Sequence, residues 1–414
     1  MIRIDSFSIL ISNDIFIPVL LEKIKIMDKL IYFITFFIYQ GYYAGLAIII
    51  SLGLTSLSRF YSIPLRILTL IAMTYVISKN YRRLFSKRNK GVMFIVVIFW
   101  ILYFLKIIYH VNMGYSLFRP SGLEYMFYAI AFCVFPFFTY ASIDFSKYKM
   151  TILNSMIFSG FVFGLVCLYL YKDVLSMGVG RISNLKYIDQ NASDTLNPLA
   201  LSYGGVLTLV LCLYKLIYIP LKGWSEKIYI YITIGLSLVL FFLGASRGSM
   251  IALVLSAGLF LYFGSFKVRT RALLAIIVSL PILIYGAVLS GSNIFSRLEE
   301  TVESGNVGRG ELWEDAWNEF ALHPFLGNRI EVGFYPHNMF LETLMSTGIV
   351  GFVLLIIILF KGYKKIWFKS KKDVAYLIPF IIANQAISQH IVTGALYFSI
   401  LVFFSMGLAF GEGD

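Results

Sequence analysis

The chain has 414 residues, of which 59% are hydrophobic and 14% are charged, with a net charge of +13 and a mean hydropathy of +0.81. A soluble globular protein is excluded, because a chain of this composition could not cover its apolar residues with a water-compatible surface. Apolar runs of about 20 residues, long enough to cross roughly 30 Å of hydrocarbon, recur throughout the sequence. We therefore predict an all-α, polytopic integral membrane protein in which residues 1–414 form a single transmembrane domain.

The first residues and the cysteines add little to this interpretation. Residues 1–28 mix polar and apolar side chains and lack a small-residue cleavage site, so no cleaved signal peptide is predicted. The three cysteines lie in separate apolar runs, where they are expected to be small buried hydrophobes rather than disulfide partners or metal ligands. They are Cys133, Cys167 and Cys212.

About twelve membrane-spanning helices are predicted from the apolar runs and the polar segments that separate them. The sequence shows no internal repeat. In chain order, the predicted spans are 30–54, 62–78, 91–110, 122–141, 152–171, 197–219, 228–244, 248–264, 272–290, 338–360, 374–389 and 394–411.

The distribution of basic residues predicts the orientation of these spans. Loops 79–90 and 361–372 carry six Lys or Arg residues each, and with twelve spans both loops fall on the same side. That side holds 24 of the 35 basic residues, so the positive-inside rule assigns it to the cytoplasm. Both termini are then predicted to be cytoplasmic.

Arginine is concentrated on the opposite side. Of the 11 basic residues there, eight are arginines, whereas the cytoplasmic side mostly carries lysine. A guanidinium group suits two-pronged binding of phosphate or carboxylate, so the outer face is predicted to bind an anion. The alternative is that some of these arginines only pair with acidic residues of the outer loops. The eight are Arg59, Arg66, Arg119, Arg181, Arg247, Arg297, Arg309 and Arg329.

Two outer loops are long enough to form a site. The first spans residues 172–196, and the main loop spans residues 291–336. Within the main loop, residues 310–322 have apolar side chains at three-to-four spacing opposite acidic ones, which predicts an amphipathic helix. Such a helix would lie at the membrane interface or pack on neighbouring loops, and either arrangement would cover a cavity.

Three motifs in this half of the chain resemble a known family. They are "SRG" at 246–248, "GRGELWEDAWNEFALHPFLG" at 308–327 and "PHNMFLETLMSTGIVG" at 336–351. In this order and spacing they resemble the O-antigen polymerase and O-antigen ligase superfamily, over roughly residues 180–360. The segment "NPLALSYGG" at 197–205 is similar to the polymerase pattern.

The resemblance implies a GT-C-like membrane glycosyltransferase. Its donor would be an oligosaccharide on undecaprenyl diphosphate, transferred with inversion at the periplasmic face and without a nucleotide sugar, a metal or another cofactor. The bacterial inner membrane would be its location, membrane lipid its surroundings and a chain-length regulator protein a possible partner, with no nucleic acid involved. No P-loop and no paired outer aspartates occur in the sequence, so arginines would have to neutralise the leaving diphosphate.

Four arginines and one asparagine are the candidates for substrate binding. Arg247 lies in a tight turn between two apolar spans, where a cation is costly unless paired, and it is assigned to the lipid diphosphate as a catalytic residue. Arg181 and Arg309 are flanked by glycines that permit close approach of a ligand. Arg297 is a weaker candidate in the main loop, and Asn197 is included because of the polymerase-like segment that it begins.

The second group of candidates lies where the main loop enters the tenth span. A neutral His337 is predicted to accept or relay the proton of the acceptor hydroxyl. Glu342 is an acid within a span, which needs a partner or a wet cavity, and it is predicted to be catalytic. Asn338 and Glu342 are four residues apart on one helix face and would orient sugar hydroxyls.

Three interpretations remain open from the sequence. A polymerase, which is favoured, transfers the growing glycan to a new lipid-linked repeat unit, whereas a ligase transfers it to lipid A core. A transporter of polysaccharide or lipid-linked glycan is a third possibility. It would be expected to have symmetric halves with charges in both, but here the acidic residues and long loops crowd into the second half.

Overall fold

The computed structural model describes residues 26–115, 117, 121–172, 198–244, 246–289, 310–331, 336, 338–393 and 400–411. Over these residues every regular element is a helix, which confirms the all-α prediction. The first long loop and the first part of the main loop lie outside the described residues, except for Lys172. We call the side at which α1, α3, α5 and α7 end the outer side.

Besides two short 3-10 helices, Thr55–Leu57 and Val374–Tyr376, the described residues form thirteen helices, which we number in chain order. They are α1 Ile26–Ser51, α2 Ser58–Leu84, α3 Lys90–Asn112, α4 Gly122–Ser142, α5 Phe145–Leu170, α6 Pro198–Tyr218, α7 Trp224–Gly244, α8 Arg247–Phe263, α9 Phe266–Leu289, α10 Gly310–Leu322, α11 Met339–Ser370, α12 Leu377–Thr393 and α13 Ile400–Phe410.

A helix lies at each of the twelve predicted spans. Eight of the described helices, α1 to α7 and α11, are long and apolar enough to cross a membrane. The helices α8, α12 and α13 contain shorter apolar stretches, and α9 occupies the ninth predicted span. The amphipathic segment of the main loop forms α10. The chain is therefore a polytopic membrane protein.

Two of the spanning helices contain a π-helical segment. In α1 this segment is Phe37–Gly41, and in α4 it is Ile130–Val134. At the α1 segment, the Ser159 hydroxyl of α5 accepts a hydrogen bond from the Gln40 amide at 2.8 Å and donates one to the Phe36 carbonyl at 3.0 Å. A side chain of a neighbouring helix thus satisfies backbone groups that the irregular turn displaces, as hydrocarbon surroundings require.

Contacts at the side opposite the outer one tie distant parts of the chain together. The Asn89 side chain, at the start of α3, donates to the Phe410 carbonyl at 3.0 Å. The Phe145 amide, at the start of α5, donates to the Gly411 carbonyl at 3.4 Å. The starts of α3 and α5 therefore lie beside the end of α13.

Candidate functional site

The helix α11 is interrupted at Gly348, which has φ +63° and ψ −164°. A turn from the end of α10 fills the interruption. The Ile349 amide donates to the Pro324 carbonyl at 2.8 Å, and the Asn328 amide donates to the Met345 carbonyl at 2.8 Å. Backbone groups freed by the break are thus paired with the turn, which fixes the outer part of α11 against the loop.

Glycine is required on both sides of this contact. A Cβ atom at Gly348 would lie 2.4 Å from the Phe325 carbonyl oxygen, and one at Gly327 would lie 2.5 Å from the Ser346 carbonyl carbon. Gly327 also has a positive φ of +69°, a conformation that side-chain-bearing residues rarely adopt. The sequence motifs "HPFLG" and "STG" are therefore the two halves of one backbone contact.

Glu342 lies in the first turn of α11, and its side chain is only 1% exposed. The Tyr103 hydroxyl of α3 lies 3.5 Å from its Oε1 atom and donates to it. Tyr103 is itself fully buried. A carboxylate is costly inside a membrane helix, so its burial makes Glu342 a candidate for a functional role.

A second buried carboxylate lies close to the start of α4. Glu331, which follows the turn, is 3% exposed, and the Tyr125 hydroxyl of α4 donates to its Oε1 atom at 2.6 Å. That distance is short for a hydroxyl-to-oxygen bond and indicates a charge-assisted contact. Two acids, each bound by a tyrosine from a different helix, therefore stand at the outer ends of α3, α4 and α11.

The outer end of α3 positions the segment that carries Glu331. His110 is fully buried, and its Nδ1 atom accepts a hydrogen bond from the Ile330 amide at 3.1 Å. This contact places the proton of a neutral imidazole on Nε2. The Lys106 ammonium group donates to the Gly327 carbonyl at 2.8 Å. These two bonds hold both ends of the short stretch between the turn and Glu331.

The Arg329 side chain contacts neighbouring residues of the outer side. Its guanidinium carbon lies 4.4 Å from the centre of the Tyr115 ring, and its Nε atom lies 3.6 Å from Glu319 Oε1. The Asn328 side chain donates to the other oxygen of Glu319 at 2.7 Å. For this arginine, the structure therefore supports the alternative in which an outer arginine pairs with a loop acid.

Asn338 caps the outer end of α11. Its Oδ1 atom accepts hydrogen bonds from the Phe340 amide at 3.0 Å and the Leu341 amide at 3.3 Å. The cap fixes where α11 begins and stabilises its first turn. Because the oxygen is engaged in the cap, any contact of Asn338 with a sugar hydroxyl falls to its amide nitrogen.

Serine side chains join the two motifs that precede the main loop. The Ser246 amide donates to the Ser202 hydroxyl at 3.2 Å, and the hydroxyls of Ser202 and Ser249 are 2.6 Å apart. Ser202 belongs to "NPLALSYGG" on α6, whereas Ser246 and Ser249 flank Arg247 at the start of α8. The backbone of Arg247 is therefore held at the outer end of α6.

The predicted site residues divide into two groups. Glu342 and Asn338 share the outer end of α11, and the backbone of Arg247 begins α8. Their grouping with the remaining candidates stays a prediction, because those candidates lie outside the described residues. These are Arg181, Asn197, Arg297, Arg309 and His337.

Sequence reasoning missed four residues of this site. Tyr103 and Tyr125 could not be distinguished among the 28 tyrosines, because only packing shows which of them meet an acid. Glu331 carried a weak signal as an acid close to a span entry. His110 ends the predicted span 91–110, and only the structure shows its bond to Ile330 and hence its positioning role.

The described residues form a helical bundle with eight span-length helices and two buried acids at one end, which is the structure of a polytopic membrane protein with a polar cluster at one end of the bundle. Residues 232–356 match a family model described as O-antigen ligase, so this part of the chain is similar to that family. The matched region runs from α7 into α11 and includes Glu342 and the Gly348 contact. No curated protein and no solved structure matches the chain.

Proposed function

We propose that this protein is a polysaccharide polymerase of the bacterial inner membrane. It transfers a glycan from a polyprenyl diphosphate to the sugar of a new lipid-linked repeat unit at the periplasmic face. The observation that carries the proposal is the family match over residues 232–356, which contains the buried acid of α11. The burial of Glu342 and Glu331 near the outer ends of three helices adds to it, because a lipid-linked sugar would meet the protein at that level.

The reaction is a single displacement with inversion. The acceptor hydroxyl oxygen attacks the anomeric carbon, and the bond from that carbon to the diphosphate oxygen breaks. The diphosphate leaves with the electron pair, while the hydroxyl proton passes to His337. Arg247, with Arg181 and Arg309, neutralises the departing diphosphate. The product is a longer glycan on the acceptor lipid, together with free polyprenyl diphosphate.

The two buried acids are suited to orient the acceptor. A carboxylate whose position is fixed by a tyrosine can accept a hydrogen bond from a sugar hydroxyl without reorganising. Glu342 lies on the helix that Asn338 caps, and Asn338 directly follows His337 in the sequence. A sugar bound at Glu342 would therefore have a hydroxyl near the proposed base. Glu331 would bind a neighbouring hydroxyl.

A ligase is the second candidate function, because the matching family model carries that description. The segment "NPLALSYGG", whose Ser202 supports the start of α8, favours the polymerase. A polymerase would also require control of chain length, for which a separate regulator protein is a possible partner.

A deletion strain distinguishes the two functions. Loss of a polymerase leaves single repeat units attached to lipid A core, whereas loss of a ligase leaves long glycans on the lipid carrier. We expect single repeats, visible as one band above core in a lipopolysaccharide gel. Long lipid-linked chains in the deletion strain would reject the polymerase in favour of the ligase.

Reconstituted turnover tests the assigned base and separates an enzyme from a transporter. Purified protein in vesicles that contain lipid-linked repeat units is expected to form longer glycans, and His337→Ala is expected to slow this by about 100-fold or more. His323→Ala is the matched control, because this histidine directly follows α10 and its side chain is exposed. Full activity of His337→Ala would remove His337 from the mechanism, and movement of the lipid without chain growth would indicate a transporter.

A further inference from the structure

Arg66 is a buried cation that the proposed reaction leaves unused. It lies on α2, eight residues after the first residue of that helix, and its side chain is 7% exposed. Helix geometry places it about 12 Å inward from the outer end of α2. A charged residue at this depth is costly and usually indicates a functional site or an ion pair.

Aromatic rings surround the guanidinium group. Its central carbon lies 4.2 Å from the centre of the Tyr128 ring, 5.1 Å from that of Tyr42 and 5.3 Å from that of Phe132. One terminal nitrogen donates to the Tyr42 hydroxyl. Rings attract a cation through their π faces but do not neutralise it, so the charge remains available to an anion.

The hydrogen-bonding capacity of Arg66 exceeds what its neighbours provide. A guanidinium group has five N–H donors, and the buried Nε–H has no partner among the described residues. Within the same residues no carboxylate lies within ion-pair distance of Arg66. A buried donor without an acceptor is unfavourable, and an oxyanion that takes two parallel N–H groups is the ligand that fits this fork.

The backbone around this cage is irregular in both neighbouring helices. The π-helical segment of α1 ends at Gly41, directly before Tyr42, and that of α4 includes Phe132. Such segments are uncommon and are often found at functional sites, where the inserted residue shifts the direction of the side chains beside it. Two of them at one arginine indicate that the cage is built for binding.

An apolar groove lies along α2, lined by residues that follow Arg66 in the sequence. It has a volume of about 400 Å³ and begins at Ile67, the residue after Arg66. Ile67 and Ile71 are 47% and 60% exposed, so the groove opens toward the bilayer. Its described lining consists of Ile67, Leu70, Ile71, Thr74 and Tyr75. An anion site followed by an apolar groove suits a lipid with a phosphate head and a hydrocarbon tail.

We propose that Arg66 binds the diphosphate of a second polyprenyl-linked substrate, the acceptor, whose tail lies in the α2 groove. This inference rests on the proposed function, because a polymerase must hold two lipid-linked substrates at once. Tyr128 of the cage lies one turn along α4 from Tyr125, whose hydroxyl binds Glu331. A glycan on a diphosphate at Arg66 would therefore extend toward the buried acids.

The test counts bound lipid diphosphates. Native mass spectrometry of the full-length protein in detergent, with farnesyl diphosphate as the probe, is expected to show two adducts for the unsubstituted protein and one for Arg66→Gln. Arg66→Lys keeps the charge but loses the fork, so we expect the second adduct to need about tenfold more probe. Arg82→Gln is the matched control, since this arginine lies on the same helix but is exposed at its opposite end, and it should retain both adducts.

Three outcomes would overturn the assignment. Two adducts with unchanged affinity in both Arg66 variants would make the cage purely structural. Displacement of the second adduct by an equal concentration of short-chain phosphatidylglycerol would identify a phospholipid site instead. Equal binding of farnesol would remove the phosphate from the interaction. The measurement needs no turnover, so it is independent of polymerase activity. If the unsubstituted protein has no polymerase activity but Arg66→Gln still loses the second adduct, the proposed function is rejected and the Arg66 site stands.

Discussion

At the scale of single residues, substitution of Glu342 tests whether the buried acids take part in the reaction or only stabilise the fold. Glu342→Gln keeps the size and the hydrogen-bonding capacity of the side chain but removes its charge. We expect chain elongation in reconstituted vesicles to fall about 100-fold or more, since the carboxylate would no longer attract the acceptor hydroxyl. The melting temperature should change little, because the Tyr103 hydroxyl can still donate to the amide oxygen.

The control for this prediction is Glu314→Gln, a loss of the same charge on the exposed face of α10. It should leave both turnover and melting temperature unchanged. If Glu342→Gln elongates glycans as fast as the unsubstituted protein, the acid has a structural role, and the site must be sought elsewhere on the outer side.

How well each site residue could be predicted depended on how unusual it is in its local sequence. That Glu342 would have a polar partner was predictable, because an acid inside an apolar run is costly without one. Arg66 was recognised only as one outer cation among eight, because its aromatic partners come from α1 and α4. The pairing of Tyr125 with Glu331 spans 206 residues, a separation at which local pattern carries no information.

At the scale of elements, the contact between α11 and the turn after α10 is the feature most sensitive to a small substitution. Gly348→Ala would place a methyl group 2.4 Å from the Phe325 backbone, in a conformation with φ +63° that alanine rarely adopts. The strain alone is about 1–3 kcal/mol, and backbone atoms cannot move aside as a flexible side chain would. We expect a markedly lower melting temperature, measured by fluorescence-detected size-exclusion chromatography after heating.

Gly235→Ala provides the comparison for that substitution. A methyl group there meets nothing within 4 Å, and the residue lies inside the regular helix α7. Alanine is favoured over glycine in a helix by about 1 kcal/mol, so stability should stay the same or rise slightly. If Gly348→Ala has the same melting temperature as the unsubstituted protein, the turn and α11 are not in contact as described.

The helices were predictable because their physical determinants are local, whereas the irregularities were not. Hydrocarbon thickness and the lack of water set the length and apolarity of a span, and both can be read from a window of about 20 residues. The break at Gly348 depends on Pro324 and Gly327, and the π segment of α1 depends on Ser159 of α5. Gly348 contacts the backbone of the turn at Phe325 and Gly327, which no local pattern in the sequence indicates.

At the scale of the whole molecule, the distribution of charge and the described fold support the same arrangement. The basic segments 79–90 and 361–372, which include the ends of α2 and α11, meet on one side, where the Lys365 ammonium group donates to the Asn89 side chain at 3.3 Å. The turn after α10 and the buried acids lie at the other ends of α3 and α11. A site on the side with fewer basic residues would face the periplasm under the positive-inside rule.

Cysteine labelling tests this orientation in the intact membrane. The native Cys133, Cys167 and Cys212 are all 0% exposed, so the unsubstituted protein should give no background with a membrane-impermeant maleimide. Ser56→Cys, in the exposed turn after α1, should react in right-side-out spheroplasts, whereas Lys87→Cys, in the exposed turn after α2, should react only in inside-out vesicles.

The labelling result bears on the mechanism as well as on the topology. His323→Cys, at the exposed end of α10, should behave like Ser56→Cys, because the turn that it begins is bonded to α11 beside the acid site. Labelling of His323→Cys from the cytoplasmic side would place the acids and Arg247 at the cytoplasmic face, whereas the proposed substrates meet the protein at the periplasmic face. That outcome would contradict the proposed periplasmic transfer even if every helix were correctly assigned.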